Sequence, residues 1–236
     1  MLVAVDDQRA WRIHAGSCLS GGATLASTTN GGRTWTDANS PLRMIVRVRP
    51  TDNQVAFVIG AGSDCMSKLQ VTTDGGATWG SSSDVGSAWF RDPKSPWIVG
   101  SPGQSTSKPC GTHSVLDLAV VSTGEARVLC PDGLVRATVN SGSSWTDSGR
   151  KITGAVALAV LSARPAQTYV ARLDAADCAG VQVLRVDQRV ATSCIKTAMP
   201  KDPGQIALSL VNGGGWLAVG DKTMRSTNGL VTWTVS

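Results

Sequence analysis

The sequence predicts an all-β chain assembled from one repeated unit, and three observations carry this. The composition suits strands and tight turns: 236 residues hold 26 Gly, abundant Ser, Thr, Val and Ala, and a single glutamate, Glu125, whereas helices favour Glu, Lys, Leu and Gln. Four short segments share one turn-like pattern that ends in tryptophan. Several of those tryptophans are separated by 44 residues or twice that, the scale of a supersecondary unit that must stack on neighbours to bury its apolar face. With 42% hydrophobic and 17% charged residues the chain is too apolar for disorder, and Gly does not recur at every third position as collagen requires. All-β domains often reach about 200–250 residues, so residues 1–236 are expected to form one domain.

The first repeat is Thr28-Thr-Asn30-Gly-Gly32-Arg-Thr34-Trp35. It recurs around Thr72, Asp74, Gly76 and Trp79, around Thr138, Asn140, Gly142 and Trp145, and around Ser226, Asn228 and Trp233, the last with Leu230 in place of glycine. Each part has a reason. Asp or Asn folds its side chain onto nearby backbone N–H groups, Gly permits a positive φ, and Ser/Thr hydroxyls satisfy what remains of the turn. The Trp is expected to cover the turn with a large apolar surface. These segments resemble the Asp-box, or BNR, repeat of β-propellers such as sialidases, sortilin-type receptors and photosystem assembly factors. The resemblance implies a propeller, with the boxes between third and fourth strands on the face away from the usual ligand site, and gives them a structural role.

The spacing then sets the number of blades. Trp35 to Trp79 is 44 residues and Trp145 to Trp233 is 88, so a degenerate repeat belongs between the latter two, where Val181–Asp187 leads toward Cys194. The 66 residues from Trp79 to Trp145 are too many for one blade and few for two. Inner hairpins beginning near Leu2, Met44, Ala88, Val115, Ala155 and Ile206, with Arg-Pro corners at Arg49, Arg91 and Arg164, predict six blades, the third truncated or without regular outer strands. Five blades with an insertion near 102–114 fit a unit of about 40–45 residues as well.

In such a blade, the second-to-third-strand loops lie opposite the box turns. Cys18, Cys65, Cys110, Cys130 and Cys178 are expected at the ends of second strands, on one face. Proximity suggests Cys18 with Cys65, Cys110 with Cys130, and Cys178 with Cys194, out of 15 possible connectivities. An even set of spaced cysteines points to an oxidising compartment, so a secreted, periplasmic or cell-envelope protein is expected. Met1-Leu2-Val3 does not begin like a signal peptide, so the leader is expected to lie outside this sequence. The longest apolar stretch, Ile152 to Ala163, is shorter than the roughly 18 residues of a membrane span and suits a buried strand.

The net charge of +5 raises nucleic acid as a partner, but Lys and Arg are scattered without a basic run, which argues against it. With no C-x-x-C and only His14 and His113, neither a metal nor a cofactor is expected. Phosphate loops, dinucleotide glycines, calcium loops and nucleophile elbows are absent from the sequence. Sialidase chemistry would need an arginine cluster, a Tyr–Glu pair and an Arg-Ile-Pro motif. Here Arg12-Ile13 matches part of that motif, Tyr169 and Glu125 are the only candidates for the pair, and Arg47, Arg49, Arg91, Arg136 and Arg164 are read as solvated or corner residues. Paired carboxylates drawn from Asp6, Asp7, Asp64, Asp117, Asp174 and Asp177 are candidates by residue type alone. The expectation is a monomeric, non-enzymatic binding or assembly scaffold, with no catalytic residues. It takes a protein or glycan on the loop face, formed by Gly16–Ala23, Gly60–Lys68, Gly100–His113 and Leu173–Gly180. A glycan-directed protein, lectin-like or a divergent glycoside hydrolase, is the alternative, with Trp89 and Trp97 as stacking candidates.

Overall fold

The computed structural model of the chain describes residues 1–236 except 53, 104, 163–164, 189 and 201, and of residues 149–150 the backbone only. Six antiparallel sheets stand around a central channel as a β-propeller, and each sheet is a continuous stretch of chain. Blade one comprises β1 (Leu2–Ala4), β2 (Ala10–His14), β3 (Thr24–Thr28) and β4 (Thr36–Ala38). Blade two has β5 (Met44–Pro50), β6 (Ala56–Ala61) and β7 (Ser67–Thr72), and blade three has β8 (Phe90–Arg91), β9 (Val99–Gly100) and β10 (Thr106–Ser107). Blade four contains β11 (Asp117–Val120), β12 (Ala126–Leu129), β13 (Leu134–Thr138) and β14 (Thr146–Lys151). Blade five contains β15 (Ala155–Leu161), β16 (Gln167–Arg172), β17 (Val181–Arg185) and β18 (Val190–Ile195). Blade six contains β19 (Ile206–Val211), β20 (Gly214–Val219), β21 (Lys222–Ser226) and β22 (Thr234–Val235). The Arg164 corner falls outside the described residues.

Two blades depart from the four-strand plan. In blade two, a single bridge between Leu69 and Ser83 stands where a fourth strand would run. In blade three the missing strand is the inner one, which corrects the expectation of lost outer strands. The Trp89 indole donates to the carbonyls of Ser122 and Thr123, at the inner turn of blade four, and Ser101 lies beside Gly142 in that blade's repeat turn. At the opposite face, Val115 N–H donates to Pro96 O. Strand β8 therefore runs from the repeat-turn face toward the cysteine face. Second strands run that way and first strands do not.

The four repeat turns share the Asp/Asn part of one hydrogen-bond plan, and the three with glycine at the fifth position share all of it. In the first, Gly32 N–H donates to Thr28 Oγ1 at 3.1 Å and Thr34 N–H to Asn30 Oδ1 at 3.0 Å. Thr72 and Asp74 serve Gly76 and Thr78 in the same way, and Thr138 and Asn140 serve Gly142 and Ser144. Asn228 receives Thr232 N–H at 3.0 Å and Ser226 Oγ at 3.1 Å. Glycine is required twice over at the fifth position. Its φ is +87°, +91° and +82° at Gly32, Gly76 and Gly142, and a Cβ there would come within 3.2–3.4 Å of the rings of Trp216, Trp11 and Trp89 in the preceding blade. Leu230 takes the same left-handed φ, +69°. The preceding second strand, β16, carries no Trp, and buried Leu230 fills that volume in the apolar cluster with Tyr169, which offsets a backbone cost of about 1–2 kcal/mol.

The repeat tryptophans work across the seams between blades instead of over their own turns. Trp35 packs edge-on against Trp216 with centroids 6.3 Å apart, and Trp145 against Trp89 at 6.0 Å. Their relatives hydrogen-bond backward: Trp79 Nε1 to Asn39 O at 2.8 Å, and Trp233 Nε1 to Ser193 Oγ at 2.9 Å. Among the described residues, five of the six seams contain apolar cores. Trp11, Ile45 and Val58 join blades one and two, Trp89, Val99 and Val128 join three and four, and Leu129, Leu158 and Val170 join four and five. Val183, Leu208 and Leu217 join five and six, and Leu2, Ala10 and Trp216 close the ring. Among the described residues no strand is shared at closure; Ala4 N–H donates to Ser209 Oγ and Trp216 Nε1 to Asp6 O.

Three disulfides tie the loops. Cys18–Cys65 joins the second-to-third-strand loops of blades one and two, and Cys178–Cys194 lies within blade five. Cys110–Cys130 ties blade four to its predecessor. Cys110 follows β10 on the link to blade four, so it is not at the end of a second strand. The stretch Gly100–His113 is likewise not one loop, because β10 crosses it.

Candidate functional site

The channel encloses about 1690 Å³ and is lined by small and apolar side chains such as Val48, Ala119, Val156, Ala159 and Leu208. Charged groups line it on several blades, among them Arg12, Asp37, Asp117 and Asp221, and three arginines border one joint, where the lining includes Arg47, Arg49, Phe57 and Leu69 of blade two and Ser87–Trp89 and Arg91 of blade three. This is the seam between blades two and three. Among the described residues no apolar cluster crosses it, since blade three has no inner strand to supply one.

Arginine fills part of that gap. Strand β5 places Arg47 and Arg49 on the face away from Val48 and the core shared with blade one, following the two-residue strand period. Arg47 Nη1 donates to Trp89 O and its guanidinium lies 5.7 Å from the Phe57 ring. Burial, helped by neighbouring Arg49, pushes the Arg47 guanidinium down to about 10, so it still carries a full charge at neutral pH. Arg91 Nη1 donates to the carbonyls of Val115 at 3.2 Å and Leu116 at 2.8 Å. Asp117 lines the same channel, and its carboxylate accepts from the backbone N–H of Leu118 and Leu158. Arg47 is thus not solvated, contrary to the sequence reading, whereas Arg91 stands at the end of β8, the corner expected of it, and hydrogen-bonds to blade four. Nothing in sequence spacing reveals that both border the gap left by the missing strand.

The edge of β8 has a definite polarity. Phe90 pairs with Gly100, and Asp92 N–H donates to Ile98 O, so even-numbered backbone groups bond to β9. In an antiparallel ladder the odd-numbered groups then point away, toward the vacant inner position. Of these, Trp89 O is met by Arg47.

The catalytic candidates are dispersed. Glu125 pairs with Arg127 at 2.5 Å, while the Tyr169 hydroxyl donates to Gln167 at 3.1 Å in another blade. Arg12 lies 4.8 Å over Trp35. Asp6 pairs with Arg9, Asp64 with Lys68, and Asp177 accepts from Gln182. Hydrogen bonds from Arg9 and the neighbouring backbone hold Asp6 below the usual carboxylate range, outweighing its desolvation. Trp89 is fully buried and has no face for a sugar. Arg136 and His113 line a smaller cavity of about 390 Å³ beside Cys110–Cys130, where Arg136 Nη1 donates to Pro109 O. Among the described residues, no group of three or more His, Cys, Asp or Glu has the geometry to hold a metal, and no helix is long and apolar enough to cross a membrane.

Fold and site define a six-bladed β-propeller with one cation-lined, incompletely packed seam. Its solved structural neighbours are propellers too. A YCF48 structure with a bound D1 peptide aligns over 100% of this chain and 80% of its own at TM-score 0.51 and 15% identity. The six-bladed fungal lectin of Aleuria aurantia aligns over 99% and 92% at TM-score 0.59 and 11% identity. A streptogramin B lyase aligns over 100% and 92% at TM-score 0.52 and 10% identity. These likenesses establish the fold alone. No protein-family model and no curated protein sequence matches the chain.

Proposed function

We propose that this chain is a non-enzymatic, extracytoplasmic binding or assembly scaffold of the Asp-box propeller type, which acts as a monomer and engages a protein partner at the open seam. The observation that carries the reading is Arg47. A half-buried cation whose guanidinium meets a neutral carbonyl, in a channel lining that also holds Arg49 and Arg91, is poised for an anionic group and suits binding better than proton transfer. The four turns with their shared hydrogen-bond plan support the Asp-box assignment. Three disulfides fit secretion or residence in the cell envelope. The YCF48 neighbour solved with a bound D1 peptide is in keeping with a peptide ligand.

A glycan-directed role is the second reading, favoured by Phe57 beside Arg47 in the cleft and by the lectin among the structural neighbours. The test measures binding to arrays of peptides and oligosaccharides alongside turnover of an aryl-glycoside panel. The scaffold reading expects peptide binding without turnover. Glycoside hydrolysis abolished by Asp117→Asn would overturn it.

A further inference from the structure

Blade three lacks the strand that every other blade contributes to the channel wall, and the consequences meet at one place. Phe57 of blade two lines the channel beside it, while the Phe90 ring, on the face of β8 opposite Trp89, lies over Gly100 of β9. Outward-facing backbone groups of Trp89 and Arg91 border the vacancy. Arg47 and Arg49 stand opposite, and Arg91 closes the end nearest Leu116. The vacancy opens into the channel and is bordered by the β8 backbone and by the guanidinium groups of Arg47 and Arg49.

We infer that this vacancy receives an extended acidic peptide segment, which pairs with β8 as the missing inner strand of blade three. The inference rests on the protein-binding reading and specifies its ligand and geometry. Strand addition to an open edge takes affinity from main-chain hydrogen bonds and specificity from alternate side chains. Acidic side chains on the blade-two side of the incoming strand face Arg47 and Arg49. Arg47 then exchanges a neutral carbonyl for a carboxylate, a stronger acceptor, and Trp89 O is released to accept from the peptide. In the unliganded protein Arg47 protects the edge, as inward-pointing charges do on other exposed strands.

The experiment uses the intact, oxidised protein and three capped, fluorescein-labelled ten-residue peptides. One alternates glutamate and valine, the second has glutamine for glutamate, and the third repeats the first with alternate amides N-methylated. Fluorescence anisotropy is expected to show the acidic peptide binding at least about tenfold more tightly than the other two. Binding is expected to slow hydrogen exchange at the Arg91 amide, and Arg49→Gln to weaken it about fivefold with unchanged melting. If the N-methylated peptide binds as well as its parent and Arg91 exchanges freely, strand pairing is wrong while the protein-binding reading survives. Equal affinity for glutamate and glutamine peptides removes the arginines from recognition. An array on which oligosaccharides bind and peptides do not overturns both readings.

Discussion

The seam that closes the ring and the seam between blades two and three solve the same packing problem in opposite ways. At closure, Trp216 is fully buried among Leu2, Ala10 and Ala218, stacks edge-on with Trp35, and donates its indole N–H to Asp6 O. At the second seam the corresponding volume holds Arg47, Phe57 and open space. Burying a large apolar side chain contributes roughly 1.5–3 kcal/mol, whereas a buried cation without a carboxylate contributes little or opposes folding. A closed ring tolerates one weak seam because the other five confine it. Stability and ligand access are thus divided between different joints of the same disc.

The contrast is tested most severely by truncation. Trp216→Ala is expected to lower unfolding free energy by about 3–5 kcal/mol in urea titration, and Phe57→Ala by under about 1.5 kcal/mol. Equal losses would erase the distinction between the seams. Replacing both Cys18 and Cys65 by serine removes a cross-link spanning 47 residues, and a loss of about 3–4 kcal/mol is expected, readable as a melting shift that reductant reproduces only in the parent protein. Thr138→Val strands the Gly142 N–H in a buried turn and should cost about 1–2 kcal/mol at an apolar seam. Arg47→Met should leave stability unchanged or raise it by up to about 1 kcal/mol while abolishing acidic-peptide binding; a large destabilisation would make Arg47 a structural strut.

The smallest expected effect concerns the one repeat turn with a carboxylate. Hydrogen bonds from the Thr78 side chain, then the Thr78 backbone and Thr72, hold the Asp74 carboxyl at about 2, below its ordinary 3.8. A depressed acid contributes stability that is complete above the ordinary value and is lost as pH falls through the depressed one. Melting of the parent protein should therefore decline more steeply than that of Asp74→Asn between pH 3.8 and 2. Parallel curves would show that the turn's hydrogen bonds do not discriminate the carboxylate.

The blade count was legible because a turn that recurs leaves the same residues at the same spacing, and six inner or pseudo-inner strands begin near the six apolar starts. The nature of blade three was misread because Ala88-Trp89 looks like any strand opening. The informative cue was its likeness to Ala10-Trp11 and Gly215-Trp216, which open second strands. The role of the repeat tryptophans was hidden too, since a seam joins residues about 40 apart, as Trp79 and Asn39 are. Arg47 and Arg91 belong to different blades and both border the place where a strand is missing. No local pattern encodes that arrangement.

The cross-links also divide the disc mechanically. Cys18–Cys65 fastens blades one and two into one arc, Cys110–Cys130 fastens three to four, and Cys178–Cys194 reinforces five. None of these bonds spans either the closing joint or the arginine-lined one. Covalent bonds therefore hold blade one to two and blade three to four, and leave the ring-closing joint to apolar packing and the joint between blades two and three to arginine contacts.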